Sequence, residues 1–496
     1  MAGGEKRLVL ALDIGTSSCR AIPYDLAGRR LGSRRAQVQY QPRVTAEGGA
    51  ELDANGLFDQ VCQTIETVLS QGREEIVAVA TSTFWHSLLG VDENGEPLTP
   101  VYLWMDARSR EQAAELRSTL DEHAVHARVG TVLHWSYWPA KLRWLQRTQP
   151  EVYRKVRHWI SFGELLLGRL TGQWGVSTSM ASGTGLLNAH TCQWDGEMLR
   201  AIGVDQDRLA AIRPLREMSS IKHKQWPRLR EVPWLMAVGD GACSNLGAGC
   251  ATPDWFALMI GTSGAERVVS CPPEGFSIPW GTWCYRVDEA RVVMGGAFND
   301  GGSLFDWLRH SFRLPQLNAL EDALVDMEPD GHGLTLLPFW AGERSTGWTD
   351  DARGAIQGLR LHTQPIEIVR ACLEAIALRF GELDRLLLEA MPVAGQVVAT
   401  GGALLHSPAW MQIMADVLGR PVLASTELEA SSRGASLLAL EALGLLPEPL
   451  DRMPPATKQR FDPVAKHTEK YRAAGERQRH LYDQLVRASG ASTHDR

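Results

Sequence analysis

Short apolar runs alternate along this chain with longer segments in which apolar residues recur every third or fourth position. Leu8 to Ile14 reads as a buried strand and Cys19 to Asp25 as the next, with the tight turn Gly15-Thr16-Ser17-Ser18 between them. The plan returns near the middle of the chain. Trp255 to Ile260 is apolar, Gly261-Thr262-Ser263-Gly264 turns, and Ala265 to Ser270 resumes strand character. The passages superpose without a gap, Ala11 on Ala257, Leu12 on Leu258, Ile14 on Ile260 and Gly-Thr-Ser on Gly-Thr-Ser. Two unrelated hairpins would give the same local pattern. The central position of the second copy instead predicts two domains built on one plan. Asp13 has Met259 as its counterpart, so only the first copy carries a carboxylate.

Other apolar strands also end in small residues. Ile76 to Ala80 runs into Thr81-Ser82-Thr83, Trp234 to Val238 into Gly239-Asp240, and Val397 to Thr400 into Gly401-Gly402-Ala403. Small residues there let a ligand approach the backbone, and several such turns predict one cleft lined by strand ends. Helical spacing appears between the strands. Leu57, Val61, Ile65 and Val68 share one face of a segment ending at Ser70. Ile368, Cys372, Ile376 and Phe380 do the same within Ile366 to Met391, and His467 to Ser489 reads as a charged closing helix. Strands alternating with helices predict α/β domains. A chain of 496 residues exceeds what one core usually serves. The division is placed just before the second glycine turn, giving domains 1–250 and 251–496.

Charge and cysteine usage narrow the function. The net charge is −7 with no basic block, which excludes a nucleic-acid footprint and favours a small-molecule partner. Eight cysteines are scattered without a C-x-x-C pair, as expected in a reducing compartment. Met1 to Arg7 leads into Leu8 to Leu12, which Asp13 interrupts, too short a run for a signal core or a membrane span. The expected location is the cytoplasm.

Four places could carry chemistry. The turn Gly15-Thr16-Ser17-Ser18 supplies close donors for phosphate oxygens, and Asp13 just before it could hold a magnesium ion. Its bland alternative is a capped hairpin turn. Gly261-Thr262-Ser263 in the other domain strengthens the first reading, because two donor loops across a cleft would clamp a triphosphate from both sides. Asp240, flanked by Gly239 and Gly241, could take a proton from a substrate hydroxyl that attacks phosphorus, or be a turn Asp bonding its own backbone. Gly401-Gly402-Ala403 could lie flat against an adenine ring, or simply turn a strand into a helix. Of 17 tryptophans, Trp85, Trp104, Trp135 and Trp138 fall near substrate loops. Most tryptophans are core residues, so one or two are expected at the site.

Together these motifs resemble the FGGY carbohydrate kinases of the actin and hexokinase superfamily. In family order stand Asp13-Ile14-Gly15-Thr16-Ser17, His86-Ser87, Trp104-Met105-Asp106-Ala107-Arg108, Asp240, Gly261-Thr262-Ser263-Gly264, Ala341-Gly342-Glu343-Arg344, Gly354 to Leu359 and Gly401-Gly402-Ala403. The resemblance spans Leu8 to Leu446. It implies an α/β fold of two duplicated actin/hexokinase-like (ribonuclease H-like) domains with a cleft between them. It also implies Asp240 as catalytic base, Asp13 near Mg2+, and ATP held by Gly15, Thr16, Ser17, Ser18, Gly261, Thr262, Ser263, Gly401, Gly402 and Ala403. Sugar contacts are implied for Trp85, His86, His134, Trp135 and Tyr137.

Within the family the chain is most similar to the gluconokinase-type branch, through His86 to Leu89, Gly239 to Gly247, Gly261 to Ala265 and Gly295 to Gly302. That implies ATP-dependent phosphorylation of a terminal hydroxyl of a small sugar acid, gluconate. Partners would be the sugar and ATP, neither nucleic acid nor membrane, with a second copy of the chain as a candidate homodimer partner. Four positions depart from the family pattern. Phe84 and Trp85 stand where a small residue and Met are usual, Trp138 where Pro, Ser or Thr is usual, and Cys372 where Ser, Thr or an aliphatic is usual. The indoles at 85 and 138 would flank the sugar pocket and narrow it or add a stacking face. Other readings are a xylulokinase-like or polyol kinase, a catalytically silent sugar-responsive regulator, and a chaperone-like ATPase of the same superfamily. Retention of Asp13 and Asp240 argues against the regulator.

Overall fold

The computed structural model describes residues 7–488 apart from 222–224, 392 and 394. Residues 1–6 and Ser489, the expected end of the closing helix, lie outside the described residues.

The first half is built on a mixed sheet. Its elements are β1 (Arg7–Ile14), β2 (Ser18–Asp25), β3 (Ala36–Gln39), α1 (Ala54–Ser70), β4 (Glu75–Thr83), α2 (Trp138–Thr148), β5 (Met218–Ser220), β6 (Pro233–Leu235), β7 (Val238–Gly239) and α3 (Asp240–Gly247). Sheet order is β5-β6-β4-β1-β2-β3, with β7 also beside β4. β1 is buried along almost its whole length, which is why it reads as a continuous apolar run. On α1, Leu57, Val61, Ile65 and Val68 are buried as their spacing predicts, and Asp53 caps the helix by accepting the Gly56 N–H.

The second half repeats the plan with β8 (Trp255–Ile260), β9 (Gly264–Ser270), β10 (Trp283–Arg286), β11 (Val292–Phe298), α4 (Pro365–Ala390), β12 (Gln396–Thr400), α5 (Pro408–Leu418), β13 (Val422–Ser425), α6 (Ala430–Ala442), β14 (Thr457–Phe461) and α7 (Ala465–Tyr482). Sheet order is β10-β11-β9-β8-β12-β13-β14. The duplication is visible in the pairing. β1 is antiparallel to β2 and parallel to β4, and β8 is antiparallel to β9 and parallel to β12. Helix α4 opens with Pro365 and a Gln364–Glu367 capping box, and it buries Ile368, Cys372, Ile376 and Phe380.

One helix crosses between the halves. α6 packs on α3, β1 and β4, and Ala435, Leu437, Leu438, Ala439 and Leu440 belong to the first half's core. The helices meet backbone to backbone. A Cβ on Gly247 would lie 1.8 Å from the Ala430 carbonyl oxygen, and one on Gly434 would lie 1.8 Å from that of Cys243. Tyr24 Oη bonds Ser432 Oγ at 2.8 Å, and Arg20 pairs with Glu429 at 2.9 Å.

The apolar run from Trp234 to Val238 is not one strand. β6 pairs with β4 at Val79, and β7 pairs further along at Ser82 and Thr83. Met236 and Ala237 connect them, and Asp240 becomes the first residue of α3.

Candidate active site

β4 is the central strand of the site. Ser82 is flanked by Asp13 of β1 on one side and Val238 of β7 on the other, and Thr83 by Ile14 and Gly239. This register brings Asp13 and Asp240 to one edge of the sheet, beside Phe84, Trp85 and His86, which follow β4. The edge faces the second half across a cleft of about 350 Å³. Gly15, Thr16, Ser17 and Ser18 line it on one side, and Ser263, Gly264, Arg267 and Arg344 on the other. The two strand-end turns that align in sequence therefore face one ligand space.

Asp240 is half-buried at the cleft and accepts the Gly241 N–H at 2.8 Å. Burial pushes its carboxyl up from the ordinary aspartate range, while the charge of Arg267 and the N–H groups of Gly241 and Trp85 pull it down. Asp13 is pushed up to about 6, first by burial and then by the charge of Asp240, against the pull of Arg20. Arg20 stands 3.8 Å from it. A carboxyl raised by burial and by a second carboxylate beside it suits a hard divalent cation, which would relieve it. An Asp at the cleft with its pKa lifted also suits a proton acceptor for a hydroxyl.

His86 has φ +65°, an uncommon conformation for a non-glycine residue and one that clusters at functional sites. Its Nδ1 lies 2.5 Å from the Gly183 carbonyl. Burial drops its pKa to about 3, so the ring is neutral. Nδ1–H therefore donates to Gly183, leaving Nε2 as an acceptor for a ligand hydroxyl. Trp85 donates Nε1–H to the Ser179 carbonyl at 3.0 Å. Its indole occupies the space that Cβ atoms on Gly183, Gly239 and Gly241 would need. The glycines around Asp240 thus make room for Trp85.

The other expected sugar contacts lie behind this wall. His134 is buried, and its Nδ1 accepts the Ser136 N–H at 3.1 Å. Its Nε2–H donates to Asp350 Oδ1 at 3.0 Å, and Trp135 Nε1–H donates to the same oxygen at 2.9 Å. Burial keeps His134 neutral, so this contact is a hydrogen bond and not an ion pair. Burial pushes Asp350 up, but the His134 and Trp135 bonds and the Arg117 charge outweigh it and leave it at about 2. Tyr137 bonds Tyr285 across the halves at 2.7 Å. Neither His134, Trp135 nor Tyr137 is part of the cleft wall. The expectation that Trp138 flanks the pocket is corrected: it is 1% exposed and donates Nε1–H to the Ser87 carbonyl inside the first core. Trp104 does line the cleft.

On the far side, the carbonyls of Gly261 and Thr262 accept the N–H groups of Gly302 and Ser303 at 2.8 and 3.1 Å, and Thr262 itself is exposed. Gly401 has φ +87°, and a Cβ there would meet the Ile260 carbonyl oxygen at 2.4 Å, so glycine is required where β12 passes the end of β8. Gly402 and Ala403 open a short helix beside it. Three site features escaped sequence reasoning. Arg267 follows Glu266 in an otherwise apolar strand with nothing to mark it, Asp350 carries no local motif, and Arg344 entered only as part of a motif.

Residues 8–247 match the N-terminal domain of the FGGY family of carbohydrate kinases, and residues 257–443 match its C-terminal domain. The chain belongs to the FGGY family of carbohydrate kinases. It is accordingly an ATP-dependent sugar phosphotransferase. A gluconokinase from Bacillus subtilis (strain 168) is 29% identical over 457 residues, covering 88% of each chain. Crystal structures of a ligand-bound xylulose kinase and of a gluconate kinase, both from Lactobacillus acidophilus, superpose with TM-scores of 0.91 and 0.90. Their identities are 27% and 26%, and each comparison covers 97% of this chain and 98% of the other. Like this family member, they are two-domain α/β proteins. Among the described residues no helix is long and apolar enough to cross a membrane.

Proposed function

We propose that this FGGY kinase transfers the γ-phosphoryl group of ATP to a terminal hydroxyl of gluconate. Asp240 takes the hydroxyl proton as that oxygen attacks phosphorus. The first half, to residue 250, binds the sugar and carries the base, and the second, from 251, binds the nucleotide. The turns at Gly15 to Ser18 and Gly261 to Ser263 hold the phosphates, and Gly401 to Ala403 border the adenine. Asp13 would hold Mg2+, which supplies charge neutralisation at the phosphates. His86 Nε2 accepts from a sugar hydroxyl, and Trp85 shapes the space beside it. The observation that carries the reading is the single edge on which Asp13, Asp240 and the glycine turn converge, facing the second turn. Resemblance to the B. subtilis gluconokinase supports the choice of sugar acid.

A ketopentose is the second reading, favoured by the similarity to a xylulose kinase. A coupled ADP-release screen over gluconate, other aldonates, ketopentoses and polyols separates the two. In Asp240→Asn, turnover on the accepted sugar should fall by about 10²–10⁴-fold with ATP and sugar binding retained. Near-parental turnover would remove Asp240 from the role of base.

A further inference from the structure

We propose that the second sheet carries a substrate-length gauge. Ala265 and Ala297, side by side on its cleft face, leave a bay for open-chain substrates of five or six carbons, and a larger side chain at either position would shorten the chain that fits. The inference rests on the reading of the cleft as a sugar-kinase site with Asp240 at the reacting hydroxyl, and it names what limits the sugar on the opposite wall.

The register of β9, β10 and β11 sorts their side chains into rows. Ala265 pairs with Ala297. Arg267 pairs with Gly295, which also pairs with Trp283. Val269 pairs with Val293, which also pairs with Tyr285. Opposed residues share a face of the sheet, and every second residue along a strand returns to it, so the three rows lie on one face. From that face Ala265, Arg267, Trp283, Tyr285 and Ala297 line the cleft. The intervening residues point the other way. Cβ atoms on Gly264 and Gly296 would meet Phe380 at 2.8 Å and Leu383 at 2.6 Å, both on α4.

Side chains shrink row by row toward the phosphate turn. Val269, Val293 and Tyr285 belong to the first half's core, so the far row is filled by packing between the halves. In the middle row Trp283 stacks on Tyr285 with ring centres 4.5 Å apart. Arg267 reaches toward Gly241, where an added Cβ would lie 3.0 Å from its Nη1. The near row holds two methyl groups. A buried sheet face is ordinarily filled by branched and aromatic side chains, and this one changes to alanine where it meets the open cleft of about 350 Å³.

Packing accounts for the neighbouring glycines but not for the alanines. A Cβ on Gly295 would lie 2.7 Å from Arg267 Cγ, and one on Gly296 would lie 2.8 Å from Ser345 Cβ. Ser345 holds Ala297 through its backbone, accepting the Ala297 N–H on Oγ at 3.0 Å and donating its own N–H to the Ala297 carbonyl at 3.1 Å. The Ala297 methyl is left to the cleft, across which stand Trp85, His86 and Asp240. Two residues along β9, about 7 Å, separate the alanine row from Arg267 beside Gly241. A three-carbon chain held at Asp240 falls short of that row, and a chain of five or six carbons extends into it.

The test measures kcat/KM by ADP release for glycerol, a ketopentose and the aldonates glycerate, erythronate, ribonate and gluconate. It uses the parent chain, Ala297→Val, Ala297→Leu and Ala265→Val. The parent should favour the five- and six-carbon substrates. Each enlargement should lower the ratio of kcat/KM for gluconate to that for erythronate by about 10–200-fold, as a misfit of a methylene or more in a pocket does. The loss should grow from Ala297→Val to Ala297→Leu and fall mainly in KM. A folded variant that keeps the parental ratio, or loses every length alike, overturns the gauge. A parent that prefers glycerol or glycerate to every longer substrate also overturns it, and that comparison stands if the substitutions unfold the chain. A parent that prefers the ketopentose to gluconate overturns the gluconate reading and leaves the gauge standing.

Discussion

A single methyl group at position 239 should damage both the fold and the chemistry. In Gly239→Ala the new carbon would stand 1.8 Å from Trp85 Cε2 and 2.1 Å from its Nε1. Both are atoms of a rigid ring, and Gly183, close against the indole's other edge, leaves no room for retreat. The indole must swing out and release the Ser179 carbonyl. Overpacking contributes about 1–3 kcal/mol and a stranded buried N–H about 1–3 kcal/mol, so the expected loss of stability is on the order of 2–6 kcal/mol. Trp85 also donates its backbone N–H to Asp240, so turnover should fall with stability. The assay is a double-mutant cycle with Trp85→Ala, read by urea denaturation and by steady-state kinetics. In the Trp85→Ala background the added methyl enters vacated space and should cost less than about 1 kcal/mol, giving a coupling of several kcal/mol. If Gly239→Ala alone stays within about 0.5 kcal/mol of the parent and keeps its kcat, the packing account of these glycines is wrong.

Two further outcomes are expected. Burial raises the Asp240 carboxyl and Arg267 lowers it, so Arg267→Met should move the acid limb of the kcat/KM profile to higher pH, with Arg267→Lys closer to the parent; an unmoved limb would mean that Arg267 does not tune the base. Small-angle scattering should show the two halves drawing together when gluconate and a non-hydrolysable ATP analogue are both bound, since each half carries one of the facing glycine turns. Unchanged dimensions at saturation would refute closure.

The duplicated strand–turn–strand was legible because buried strands announce themselves as continuous apolar runs, and because Ala11, Leu12 and Ile14 of β1 recur as Ala257, Leu258 and Ile260 of β8 ahead of matching turns. The faces of α1 and α4 were legible for the same kind of reason, a 3.6-residue period. Asp240 could be picked out by its flanking glycines, but their purpose could not. They face Trp85, 154 residues or more away in sequence, and no local pattern encodes that contact. His134 and Trp135 sat in the expected loop, yet their polar atoms are consumed by Asp350, a partner that only the closed fold brings near. Trp138 shows the same limit from the other side. An indole beside a substrate loop and an indole in the core look alike until its N–H is seen on the Ser87 carbonyl.

The seat of α6 has a consequence for how the molecule can move and be divided. The chain passes from first half to second between Gly247 and Trp255, but 180 residues later it returns a helix whose leucines complete the first core. The covalent frontier and the mechanical one therefore do not coincide. Any rotation of the halves must carry α6 with the first sheet and bend the connections on both sides of it together with the passage from Gly247 to Trp255, so three segments of chain join the moving parts. A polypeptide ending at residue 250 would likewise expose the bare backbone groove of α3, shaped by Gly247 for a helix it does not contain. Supplied as a separate chain, the second half would carry a piece of the first half's interior.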